Sequence, residues 1–229
     1  MPYAILPTQL SSRQLALVKA LLVLACLAPA ALLLRGWLID ALGANPVEAL
    51  SEATGEWTLR LLLVTLSVTP LRRLTGAHWL LRLRRTVGLF AFAYGCLHFT
   101  AYVWLDQQFD WHSVAADILE RPYIAIGFAA LVLMTPLALT SNGFMVRRLG
   151  GRRWQSLHRS IYAIAILGVV HMMWQAKDDL LEALIYAAAL TLLLGLRGMW
   201  RNAERRRQLS TPRIPPGPSG RKVIRIVAK

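Results

Sequence analysis

The chain has 229 residues, 56% of them hydrophobic, and a formal net charge of +14. A soluble globule of this size does not hold so many apolar residues in long unbroken runs, so the composition reads as a one-domain integral membrane protein. The arginines stand beside the apolar runs, where membrane topology puts them, which excludes nucleic-acid binding as the reason for the charge. The two cysteines, Cys26 and Cys96, lie inside apolar runs without CxxC or zinc-type spacing, excluding a disulfide framework or a cysteine metal site.

Residues 1–14 form a polar lead, and a first apolar span covers 15–34. Ala28-Pro29-Ala30 has the small residues of a signal-peptide cleavage site. The thin charged region before it and the central proline favour an uncleaved helix instead. An acidic loop with Asp40, Glu48, Glu52 and Glu56 leads to a short second span at 58–71. Arg72, Arg73, Arg82, Arg84 and Arg85 fill the next loop, together with His78, and a third span covers 84–105. Asp106, Asp110, Asp117 and Glu120 make the following loop acidic, and it also holds His112. Pro122 opens a fourth span at 122–140, as suits a first helical turn. Arg147, Arg148, Arg152 and Arg153 mark another basic loop before a fifth span at 157–174. A short loop with Lys177, Asp178, Asp179 and Glu182 precedes a sixth span at 180–200, and a basic Pro/Gly-rich tail at 201–229 reads as disordered.

Basic and acidic loops therefore alternate. The positive-inside rule gives an all-α protein of six transmembrane helices with N- and C-termini in the cytoplasm. Thr69-Pro70-Leu71 and Thr135-Pro136-Leu137 each precede a basic loop and a histidine-bearing helix, a weak internal repeat. Such a repeat sets the third and fifth spans at equal depth.

Those two spans carry the residues that point to chemistry. His98 lies thirteen residues after Arg85, and His171 lies thirteen after His158. At about 1.5 Å per residue this is roughly 20 Å of a hydrocarbon core about 30 Å thick. His98 and His171 then share a depth toward the periplasmic face, while Arg85 and His158 lie near the cytoplasmic edge. Histidines at membrane depth are costly and usually functional. Two imidazoles at one depth suit the axial positions of a haem iron; a structural pairing, a proton relay or a copper or zinc site stay open. His78 and His112 read as solvated loop residues. His158 falls about 140° from His171 around an ideal helix, so the two do not share a face.

The segments Arg84-Arg85-Thr86-Val87-Gly88-Leu89, Leu97-His98, Arg121-Pro122-Tyr123-Ile124, Trp154-Gln155-Ser156-Leu157-His158 and Val170-His171-Met172-Met173-Trp174 carry a resemblance. Across residues 10–205 the chain resembles the MsrQ (YedZ) family, the haem-binding membrane subunits of periplasmic methionine sulfoxide reductase systems. That family belongs to the ferric-reductase-like transmembrane domains. The resemblance implies a ferric-reductase-like six-helix bundle at 15–200 in the bacterial inner membrane. It implies haem b with His98 and His171 as axial ligands, and a part for His158 at a second haem or as an alternative ligand. Arg85 stands where the larger relatives have a fourth histidine, and its fork of donors suits a haem propionate or another anion. FMN is a further implied cofactor. Quinol or a soluble flavin reductase is the implied donor, and a periplasmic molybdopterin-containing methionine sulfoxide reductase subunit the acceptor. No strand–glycine–helix fingerprint follows the sixth span, so the electron source is expected to be a separate molecule. Two other functions stay open: a stand-alone ferric or cupric reductase, and a small transporter whose histidines pack or relay protons.

Overall fold

A computed structural model describes residues 7–176 and 180–210. Lys177, Asp178, Asp179 and residues 211–229 of the expected tail lie outside the described residues. Among those described, regular structure is entirely helical: α1 Ser12–Leu38, α2 Pro46–Thr75, α3 Arg84–Ala101, α4 Trp111–Glu120, α5 Pro122–Leu139, α6 Gly143–Leu149, α7 Gly151–Leu157, α8 Ile161–Gln175 and α9 Leu180–Ser210.

The helix ends follow local chemistry. Ser11 and Gln14 form a reciprocal capping box that starts α1. Asn45 caps α2 ahead of Pro46, and Gly76 closes that helix at φ +73°, a left-handed conformation that costs a glycine least. A single π turn, Tyr102–Asp106, ends the third span. His158–Ser160 is a 3-10 turn between α7 and α8.

Several boundaries differ from those expected. The lead is shorter, since α1 already begins at Ser12. The second span is a 30-residue helix, because an N-cap and an N-terminal proline start it twelve residues earlier than its apolar run. Two loops hold helices of their own, α4 in one and α6 and α7 in the other. In α4 the Asp110 carboxylate accepts from the His112 and Ser113 amides, a cap hidden among acidic residues read as a loop. The Ser113 hydroxyl and amide hold that carboxyl below its ordinary pKa. The first ten residues of the expected tail, 201–210, continue α9. There Arg73 pairs with Glu204 at 2.8 Å and lies over the Trp200 ring, which gives the extension an anchor on α2.

Among the described residues five stretches are long and apolar enough to cross a membrane: Ser12–Leu38, His78–Asp106, Pro122–Leu139, Gly151–Gln175 and Leu180–Ser210. The sixth expected span, α2, carries Glu56 and Arg60 within its length. These charges are paired. Arg60 bonds to Glu56 at 2.6 Å, to Glu182 at 3.3 Å and to the Tyr186 hydroxyl at 2.7 Å, tying α2 to α9.

The most extensive helix contacts are α2 with α3 and α5 with α8; α3 also meets α5, and α8 meets α9. The core lies between these pairs, with Leu62, Leu66, Ala91, Tyr94, Ile164, Ala165 and Val169 at its centre. In contrast α1 stands at the edge. Leu17, Leu24 and Leu32 are 61–65% exposed, as a lipid-facing helix requires.

One buried side chain fastens that edge helix. The Tyr94 hydroxyl donates to the Cys26 carbonyl at 2.8 Å and accepts the Ala30 amide at 2.9 Å. In an unbroken helix these two groups bond to each other. Pro29 sits between them, and its ring crowds the preceding turn. Tyr94 therefore splices its hydroxyl into α1 and pins it to α3. Tyr94→Phe should cost about 1–3 kcal/mol, the penalty for leaving buried polar groups unpaired. Maleimide labelling of buried Cys26 should become faster. Unchanged labelling and melting temperature would show that α1 is held otherwise.

Candidate functional site

The two helix pairs present the same small device. On α3, His98 Nδ1 lies 2.8 Å from the backbone carbonyl of Ser51 on α2. On α8, His171 Nδ1 lies 2.8 Å from the carbonyl of Tyr123 on α5. A carbonyl can only accept, so Nδ1 carries the proton in both rings. In the neutral imidazole that leaves the Nε2 lone pair free. This is the arrangement by which a metal-ligating histidine is oriented by an outer partner.

Glycines make the approach possible. A side chain on a helix covers the turn on the N-terminal side of its own Cα, so a residue at i+4 screens the carbonyl at i. Four residues after Ser51 stands Gly55, and four after Tyr123 stands Gly127. A Cβ on Gly55 would lie 3.1 Å from His98 Cε1, and one on Gly127 would lie 2.8 Å from His171 Cε1 and 2.9 Å from its Nδ1. The rings occupy the space that a side chain would take.

The two ring centres are 6.1 Å apart, with planes at 75°. Imidazoles bound through Nε2 on opposite sides of one iron have centres roughly 6 Å apart, taking about 2 Å per metal–nitrogen bond and about 1.1 Å from nitrogen to ring centre. Among the described residues no three His, Cys, Asp or Glu side chains converge as a metal-ion cage. The site thus supplies two ligands, the number an iron porphyrin leaves open. The donor set, its tautomers and its spacing all fit a haem. Phe99, next to His98 in sequence, and Phe128, next to Gly127, join α3 to α5 by a tilted ring contact with centroids 5.6 Å apart.

The structure separates His158 from this pair. Its Nε2 lies 3.0 Å from Thr140 Oγ1, and its ring stacks on Trp154 at 4.0 Å between centroids. Trp154 Nε1 donates to the Thr140 carbonyl at 2.9 Å, so Thr140 anchors both rings at the end of α5. Arg85 is also elsewhere. It is exposed in a cleft beside α1, while its neighbour Arg84 is the one turned inward. Arg84 lies within electrostatic range of His158, Arg197 and Tyr162. The two adjacent arginines point apart because neighbouring positions on a helix differ by about 100°. Arg197 donates to the Tyr162 hydroxyl at 2.6 Å and to the Leu66 carbonyl. Among the described residues neither Arg84 nor Arg197 has a carboxylate partner. His78 and His112 are exposed, as expected.

Residues 51, 55, 123 and 127 were not anticipated from the sequence. The Thr-Pro-Leu repeat offers no guide to them, because Pro70 follows Gly55 by fifteen residues and Pro136 follows Gly127 by nine. The usable signal was a matched spacing: a glycine 43 residues before His98 and another 44 before His171.

Comparison with known proteins gives the chain's relatives. A family model described as "Ferric reductase like transmembrane component" matches residues 54–169. A protein of Azospira oryzae described as "Protein-methionine-sulfoxide reductase heme-binding subunit MsrQ" is 55% identical over 86% of this chain and 83% of its own. Proteins of the same description from Herminiimonas arsenicoxydans and Rhodospirillum rubrum are 48% and 56% identical, over 83% and 68% of this chain and 88% and 75% of theirs. No solved structure matches the chain. With its membrane-crossing helices and these relatives, the protein is a multi-pass membrane protein with a ferric-reductase-like helical bundle, and it belongs to the MsrQ family.

Proposed function

We propose that the chain is a b-type cytochrome subunit of the bacterial inner membrane. In this reading it passes electrons from the quinone pool or a flavin donor to a periplasmic, molybdopterin-containing methionine sulfoxide reductase. The observation that carries the reading is the matched pair of histidines, each with Nδ1 held by a helix carbonyl and Nε2 left free. His98 and His171 would hold haem b. When bound, the haem would supply one-electron chemistry, and ligation by two histidines would favour electron transfer over oxygen binding. Ser51 and Tyr123 fix ring orientation, and Gly55 and Gly127 admit the rings to their carbonyls. That rigidity keeps the two nitrogens in register whichever oxidation state is present.

Topology follows from charge, with α2 as a sixth crossing and both termini cytoplasmic. Trp37, Trp104, Trp111 and Trp174 are exposed at the opposite, periplasmic end, where an aromatic belt is expected. At the cytoplasmic end Arg84 and Arg197, the inward arginines on the same level as Arg85, provide cationic charge for an anionic group. His158 is the candidate ligand of a second, inner haem, and ligation through Nε2 would require its Thr140 contact to be given up. FMN and a soluble flavin reductase belong to this same entry side. The acceptor would dock on the outer loops. There Asp117 is engaged by Tyr102 at 2.8 Å and Arg121 at 2.9 Å, and Asp110 caps α4, which leaves Asp106 and Glu120 as the more available carboxylates of that loop.

The test is a reoxidation assay. Purified protein is reduced anaerobically, and periplasmic reductase with methionine sulfoxide is added. Haem reoxidation that needs both additions is expected. Reoxidation by ferric or cupric salts alone, and none by the reductase pair, would replace this reading with a metal reductase.

A further inference from the structure

A cleft of about 400 Å³ opens between α1 and the start of α3, and nothing described so far uses it. Lys19 of α1, Arg82 from the 3-10 turn before α3, and Arg85 of α3 line one end of it. Leu89, Phe90 and Ala93 continue its wall along α3. By helix rise, Ala93 lies about 12 Å deeper than Arg85. The three cations are exposed, and among the described residues none has an ion pair or a carboxylate in the cleft wall. By contrast Arg60 has two glutamates and a tyrosine, and Arg73 has Glu204. Three unpaired cations above an apolar track, at the membrane-facing edge of a bundle, complement a molecule with an anionic head and a hydrocarbon tail.

We infer that this cleft is a binding site for one anionic glycerophospholipid, with its phosphodiester at Lys19, Arg82 and Arg85 and an acyl chain along Leu89, Phe90 and Ala93. Basic pockets between transmembrane helices recognise such headgroups. Arg85 lies thirteen residues, roughly 20 Å, from His98 along the same helix, too far for an arm of a group ligated there. The site rests on the membrane-spanning reading of α1 and α3 and is independent of haem. Its occupant would fill the gap beside α1, the least buried of the membrane-crossing stretches among the described residues.

Native mass spectrometry of the full-length protein tests this, with phosphatidylglycerol and phosphatidylcholine offered at equal mole fraction. One phosphatidylglycerol should bind in preference. The triple variant Lys19→Gln, Arg82→Gln, Arg85→Gln should weaken that adduct about tenfold or more, since each basic residue near an anionic headgroup adds to its retention. Haem per chain should stay the same. Ala93→Trp, which obstructs the tail track and keeps every charge, should also reduce the adduct and covers the case in which the triple variant does not fold. Equal binding of the two lipids by the wild type overturns the proposal. So does an undiminished adduct in both variants, or displacement of the lipid by millimolar inorganic phosphate, which would mark a site for free anions. Loss of haem from the triple variant with the lipid adduct retained would return Arg85 to the haem. A haem-free wild type that still prefers phosphatidylglycerol would remove the cytochrome reading and leave this one standing.

Discussion

His98→Ala and His171→Ala combined should leave the purified protein with on the order of a tenth or less of the wild-type haem per chain, because both axial nitrogens are gone. Each single variant should lose the low-spin bis-imidazole absorption and EPR signals even where some haem remains. The loss should not reflect unfolding. Ser51 lies inside α2 and Tyr123 in the first turn of α5, where their carbonyls can keep helix hydrogen bonds after the imidazole is removed, so the fold loses about one net hydrogen bond per site, ~1 kcal/mol. His158→Ala is the informative contrast. If His158 only stacks on Trp154 and bonds Thr140, haem stoichiometry stays at the wild-type value; if it holds an inner haem, stoichiometry falls while the outer spectrum persists. Haem is counted as the pyridine haemochrome against protein concentration. A Soret band undiminished in the double variant would remove the histidine pair from the site altogether.

The histidine pair was legible because spacing along a helix converts directly into depth. His98 and His171 were placed level by counting alone, and their rings are in contact distance. Five of the six expected spans were legible for a similar reason, since an apolar run of sufficient length has few alternatives. Direction around the helix was harder to read. Arg84 and Arg85 are adjacent in sequence, and only packing decides that one faces the core and the other the cleft by α1. The glycines were silent because a glycine in a transmembrane helix has many uses, and its meaning here depends on a carbonyl and a ring brought to it from 43 or 44 residues away. Tyr94 was silent too: nothing in an apolar helix announces that a tyrosine hydroxyl will enter a neighbouring helix beside a proline. Local chemistry fixed elements and depth, whereas the oriented contacts that make the site needed the third dimension.

Gly127→Ala should lower haem affinity by about tenfold, the lower end of what losing an outer-shell support costs a metal site. The new Cβ would stand 2.8 Å from His171 Cε1 and 3.1 Å from Nε2. Carbon atoms rest at about 3.5–4.0 Å, so the ring must retreat by more than half an ångström or tilt, and its bond to the Tyr123 carbonyl must lengthen. Either movement takes Nε2 away from the axis shared with His98. Gly55→Ala places its Cβ 3.1 Å from His98 Cε1, a misfit the ring absorbs with a shift of a few tenths of an ångström, so its effect should be several-fold smaller. The sign of the stability change separates this from simple damage. Alanine is favoured over glycine inside a helix by about 0.8–1 kcal/mol, so α5 itself gains from the substitution. Gly127→Ala protein prepared without haem should therefore melt no lower than the wild type, while its haem titration weakens and its low-spin EPR signal shifts or broadens. Equal haem affinity in Gly127→Ala and wild type would mean that His171 does not need the Tyr123 carbonyl, and the outer support of the pair would have to be sought elsewhere.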